Sequence, residues 1–106
     1  MAKVWRQGDV IVRSLTEEEY EELKARSWPS NNPVITGENG HAHVIEADEV
    51  SETWDRARGI RVFVVMAVKA VMIRHEEHPD LVLPPGYYEI HQAREWLPGR
   101  IRAGGD

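Results

Sequence analysis

Five histidines are the residues best suited to chemistry in this 106-residue chain, and all of them lie between positions 41 and 91. His41 and His43 are separated by Ala42 and run into Val44-Ile45, a β-forming pair. Residues two apart on a strand project to one face. Both imidazoles therefore share a face with Ile45, which marks that face as inward. Two imidazoles so placed can grip one divalent cation at about 2.0–2.1 Å. The competing reading is a solvated hairpin face that happens to carry two histidines.

His75 closes the run Val71-Met72-Ile73-Arg74-His75 and by alternation shares a buried face with Val71 and Ile73. A buried imidazole needs a hydrogen-bond partner, and a core histidine bonded to backbone would satisfy that need without any chemistry. Glu76-Glu77-His78 follows at once. The two histidines stand at i,i+3 with Pro79 behind them, so this is not the helical i,i+4 pair of a zinc protease. In the last β segment, Tyr87, Glu89, His91 and Glu95 alternate with Tyr88, Ile90, Gln92, Arg94 and Trp96. The second set is the more apolar. It is expected to face the core, carrying Gln92 and Arg94 inward and leaving Glu89 and His91 outside.

Three kinds of function are compatible with these residues. The first is a histidine-rich pocket that binds a divalent metal through His41, His43 and His75, with His78 or a carboxylate completing the set. Zn, Mn, Fe and Ni all suit such ligands, and an open coordination position would let a bound water carry out hydrolysis. The second is a metal-free acid–base enzyme, such as an RNA-cleaving nuclease. There His75, His78 and Glu77 would handle protons while Arg94 or Lys69 stabilises developing negative charge. The third is an assembly or interaction module, for instance a phage-derived accessory protein, in which Trp5, Trp28, Trp54 and Trp96 would supply an interface.

The elements that must position these groups are mostly strands. Val4-Trp5 and Val10-Ile11-Val12 flank a Gln7-Gly8-Asp9 turn. Thr16 and Glu19 form a capping box, with Leu15 and Tyr20 spaced as a hydrophobic staple, and Pro29 lies beyond the end of that helix. Val34-Ile35-Thr36 and residues 41–45 flank Asn39-Gly40, a hairpin signal. Residues 46–59 read as a long polar connection with a helical turn around Trp54. The Val-rich stretch 60–73 is too long for one strand and should turn near Ala67 to Lys69. Leu81-Val82-Leu83 and residues 87–96 supply the last strands, broken by Pro84-Pro85-Gly86. The expected fold is mainly β, a small antiparallel barrel or sandwich with one short α-helix, and an α+β roll is the alternative. The chain is expected to be a single domain, 1–106, with a mobile tail from about 98.

Four segments taken together resemble a pattern in short bacterial and phage proteins to which no activity is attached. They are Arg6-Gln7-Gly8-Asp9-Val10, Gly40-His41-Ala42-His43, His75-Glu76-Glu77-His78, and Leu83-Pro84-Pro85-Gly86 with Tyr88. The resemblance runs from Arg6 to Trp96. A second one is to cupins, whose first motif joins glycine, a His-x-His pair and a glutamate. Gly37, His41, His43 and Glu46 look similar, as do Pro84-Pro85-Gly86 and His91 to the second motif. Here the spacing is shorter, the last histidine is displaced, and Glu46 alternates away from His43. The cupin likeness implies a β architecture and histidine ligation of a metal.

Bulk properties narrow the setting. The chain has no cysteine, which excludes disulfides and thiolate metal sites. The formal net charge of -5 lowers the prior for non-specific nucleic-acid binding. No apolar run approaches the ~20 residues that cross a bilayer, and residues 1–12 lack a signal-peptide core. A cytoplasmic protein with no membrane partner is expected. A chain this small has a thin stability margin, so self-association into a homo-oligomer is expected to help it.

Overall fold

The computed structural model describes residues 2–37 and 40–93. Strands β1 (Val4–Gln7) and β2 (Val10–Leu15) form a hairpin around Gly8-Asp9, where Gly8 adopts φ +58°. Helix α1 (Glu17–Ala25) follows. Its capping box is formed, with Thr16 Oγ1 accepting from the Glu19 N–H and the Glu19 carboxylate accepting from the Thr16 N–H. After a short edge strand β3 (Trp28–Pro29) come β4 (Val34–Thr36) and β5 (Ala42–Glu46), an antiparallel pair. The remaining strands are β6 (Glu49–Asp55), β7 (Ile60–Ala67), β8 (Val71–His75), β9 (His78–Leu83) and β10 (Gly86–Gln92).

These strands form two antiparallel sheets, one ordered β1-β2-β10-β7-β6-β3 and the other β4-β5-β8-β9. The sheets face each other across one apolar cluster. Val10, Val12, Phe63, Val65 and Ile90 come from the first, and Ile35, Ile45, Val71, Ile73 and Leu83 from the second. Full burial of side chains this size contributes about 1.5–3 kcal/mol each. A smaller cluster of Leu15, Tyr20 and Val64 lies on the other face of the six-stranded sheet, beneath α1. This is the mainly β, two-layer arrangement with one short helix. Neither sheet closes on itself, so the barrel alternative does not form. No helix among the described residues is long and apolar enough to cross a membrane.

Several expectations are corrected. Residues 49–55 are not part of a polar connection but strand β6, paired along its whole length with β7. Trp54 sits in that strand rather than in a helical turn. Glu89 and His91 do not face solvent. They lie on the side of β10 away from Tyr88 and Ile90, as alternation requires, but that side is covered. Glu89 is 3% exposed and is held by Arg13 at 3.1 Å and Arg58 at 3.2 Å. Arg94, Glu95, Trp96 and the tail from 98 lie outside the described residues.

Candidate functional site

Three hairpin ends and the end of β10 meet at one place. The β8–β9 hairpin turns through Glu76-Glu77 alone and sets His75 directly opposite His78. That register gives the i,i+3 spacing its meaning, because cross-strand partners share a face. The His75 and His78 rings are 4.5 Å apart, centroid to centroid. His43 lies on the inward face of β5 with Ile45 and is 1% exposed. Its ring is 4.2 Å from that of His75 and stacked at 6.2 Å on that of His78. His41, just before β5, completes the group at 5.9 Å from His75.

The hydrogen-bond network fixes how these rings present themselves. Gln7 Nε2 donates to the carbonyls of Ile73 (2.9 Å) and Pro79 (2.8 Å). Both amide protons are thus used, so Gln7 Oε1 must accept, and it does so from His43 Nδ1 at 2.8 Å. The proton of neutral His43 is therefore on Nδ1, leaving a bare Nε2. Asp9 Oδ1 stands 3.0 Å from that Nε2. The other carboxylate oxygen, Oδ2, accepts from Gln92 Nε2 at 2.8 Å. Asp9 is further pinned by its own carbonyl, which accepts from the Ala93 N–H at 2.6 Å.

Charge makes this pairing unusual. Burial lowers the His43 pKa, the neighbouring His75 adds to that, and the opposing pull of Asp9 does not restore it. Burial alone would raise Asp9, but hydrogen bonds led by Gln92 and its own backbone outweigh it and hold the carboxyl below its ordinary range, with His43 adding to them only when its Nε2 carries a proton. Both groups thus tend towards the form with a free lone pair, and the two lone pairs point at each other across 3.0 Å. The arrangement calls for a positive charge between them.

The other histidines are committed differently. His41 Nδ1 meets Glu76 Oε1 at 2.5 Å and Nε2 meets Glu77 Oε2 at 3.2 Å. The Glu76 contact raises its pKa, and Glu77 adds to that. The two carboxylates that bracket the ring favour its imidazolium form. His75 Nδ1 accepts from the Glu77 N–H at 3.0 Å, so the neutral ring carries its proton on Nε2. His78 is exposed at the mouth, and its Nε2 would lie 2.7 Å from a Cβ placed on Gly8.

The structure thus brings together His41, His43, His75, His78 and Glu77. Among the described residues, no three His, Asp or Glu side chains are already spaced to hold one metal ion. Lys69 is remote, in the turn before β8, whose length puts about 13 Å of strand between Val71 and His75. Glu46 pairs with Arg74 at 2.9 Å and does not join the histidines. Gln7, Asp9 and Gln92 are the site residues that the sequence reading missed. Their signals were the Gln7-Gly8-Asp9 segment, read there as a turn and as part of the Arg6–Val10 motif, and the alternation that turned Gln92 inward.

A family model described as Domain of unknown function (DUF8820) matches residues 6–93. The chain belongs to this family. No curated protein and no solved structure matches it. The span shared with DUF8820 contains every residue of the site from Gln7 to Gln92, while Arg94 lies just beyond it.

Proposed function

We propose that this DUF8820 protein binds a divalent metal ion between His43 Nε2 and Asp9 Oδ1. The supporting observation is the pair itself, two lone-pair donors 3.0 Å apart, each fixed from behind by an amide. With bonds of about 2.0–2.1 Å, donors at that separation subtend about 90° at a shared ion, an ordinary angle between neighbouring ligands. A metal-bound histidine characteristically donates its other ring N–H to a fixed oxygen, which is what Gln7 provides here.

His78 is the third ligand in this reading. It is exposed, its ring is stacked on that of His43, and rotation of its side chain brings a nitrogen towards the pair. His41 and His75 act differently from the simple three-histidine set. One is bracketed by Glu76 and Glu77, and the other would first have to release the Glu77 N–H. An ion held here would have positions left open to water and would supply the activation that hydrolysis needs.

A proton can replace the metal between His43 and Asp9, since 3.0 Å is also an ordinary hydrogen-bond length. That second reading makes the pair structural. Titration calorimetry separates the two, using Zn, Mn, Ni and anaerobic Fe(II) with wild type and Asp9→Asn. The metal reading expects one site per chain and an affinity at least about tenfold weaker in Asp9→Asn. No saturable heat with any of the four ions, or equal binding by the two proteins, overturns it.

A further inference from the structure

A groove of about 590 Å3 opens at the C-terminal end of α1. Its floor includes Thr53 and Val62, which stand opposite each other in β6 and β7. Val62 shares a face with Val64, so the groove lies on the side of the six-stranded sheet that α1 covers. His43 and its neighbours are on the other side, with the inter-sheet core. Leu23 and Val62 make one part of the groove apolar, and Arg26, Arg56 and Arg58 make the other part cationic. Arg58 is fixed: its Nε donates to Asp55 at 2.6 Å and its Nη2 to the buried Glu89 at 3.2 Å. Its Nη1 is left without a partner among the described residues. The side chains of Arg26 and Arg56 form no ion pair with any described residue, in a chain whose net charge is -5. The end of a helix would oppose an anion through its partly negative carbonyls. Here those carbonyls are occupied. Leu23 O accepts from the Arg26 N–H at 3.2 Å, Lys24 O from the Ser27 N–H at 3.0 Å, and Arg26 O from the Thr53 hydroxyl at 3.1 Å.

We propose that this groove binds a small organic phosphate, its head on Arg26, Arg56 and the open Nη1 of Arg58 and its apolar part on Leu23 and Val62. Charge selects the head. A phosphate monoester carries about -1.5 to -2 near neutral pH, which matches the two unpaired guanidiniums, whereas a carboxylate would leave one of them unmatched. Guanidinium forks also take phosphate oxygens in pairs. Size and polarity select the rest. The groove has the volume of a site for a whole small molecule, and an inorganic ion would leave Leu23 and Val62 uncovered. The site shares no residue with the histidine cluster and is independent of any metal there.

The test is a 1H–15N NMR titration of the full chain with phenyl phosphate, benzoate and inorganic phosphate, read at the arginine Nε–H signals. Phenyl phosphate should shift the Arg26, Arg56 and Arg58 signals saturably and leave that of Arg74, on the second sheet, in place. It should bind more tightly than benzoate or inorganic phosphate, each of which lacks one half of its contacts. The double variant Arg26→Gln/Arg56→Gln should bind it about tenfold or more weakly, as expected for lost charge-assisted hydrogen bonds. Both side chains are exposed, so this variant should keep the folded dispersion of the wild type. Asp9→Asn should bind phenyl phosphate as the wild type does. No saturable shift with phenyl phosphate overturns the proposal, and so does its loss in Asp9→Asn, which would place the ligand at the histidines. Benzoate binding as tightly would show that the second charge contributes nothing. Inorganic phosphate binding as tightly would show the same of the apolar floor, and either result also overturns the proposal.

Discussion

Gln7 decides what His43 can do. Its side chain bonds both the second sheet's backbone and the His43 ring. Gln7→Leu keeps the size but strands the carbonyls of Ile73 and Pro79 and the His43 Nδ1–H. Each buried group left without a partner costs about 1–3 kcal/mol, and the loosened ring should lower metal affinity about 10–100-fold. Urea unfolding and calorimetry on the same variant check both, and an unchanged midpoint would show that the amide is not holding the network. Gly8 acts by being small. At φ +58° a Cβ is strained by about 1–2 kcal/mol, and here it would also lie 2.7 Å from His78 Nε2. Gly8→Ala should therefore lose stability and, by displacing His78, weaken metal binding. A loss of stability with metal binding unchanged would remove His78 from the ligand set.

At the level of elements, α1 stands on its cap. Thr16→Ala removes the oxygen that accepts from the Glu19 N–H, and thermal melts should show a loss of about 0.5–2 kcal/mol. No loss would mean that the cap contributes nothing in solution. This helix was legible because every signal for it is local: the box at i,i+3, the staple, and Pro29 beyond the end. The Val-rich run was equally legible as two strands, β7 and β8, because its length and its polar interruption are both local. Strand β6 was not. Glu49, Glu52 and Asp55 gave it the look of a loop, and pairing with the apolar β7 overrides that composition. The histidines were readable as two groups on inward faces. Their carboxylate was not, since Asp9 and His43 are 34 residues apart and Asp9 and Gln92 are 83 apart. Alternation along β10 correctly separated Tyr88 and Ile90 from Glu89 and His91. It could not show that α1 and two arginines would cover the second face.

The whole molecule stores a pH dependence on that covered face. Burial lowers the pKa of His91, the Arg58 charge adds to the effect, and Nδ1 is buried without a hydrogen-bond partner among the described residues. The folded state thus keeps this ring neutral, whereas the unfolded chain takes up the proton near pH 6.5. Between that value and the lower folded pKa the unfolded state binds more protons, so stability falls as pH falls. Melting temperature should drop on acidification below about pH 6.5, and His91→Gln should drop less. An identical decline in both proteins would show that His91 is not the source. The apolar cluster shares its inward faces with the histidines, Ile35 standing opposite His43, but is made of separate side chains, so the fold should persist when the site is emptied or filled. That separation allows the central claim to be tested on the native protein by following histidine ring 15N signals while zinc is added to one equivalent. The His43 Nε2 signal should move to a metal-bound position while the Nδ1–H to Gln7 is retained, and Asp9→Asn should abolish the change. Zinc that leaves His43 Nε2 untouched at one equivalent, or perturbs only the His41 and His78 rings, would contradict it.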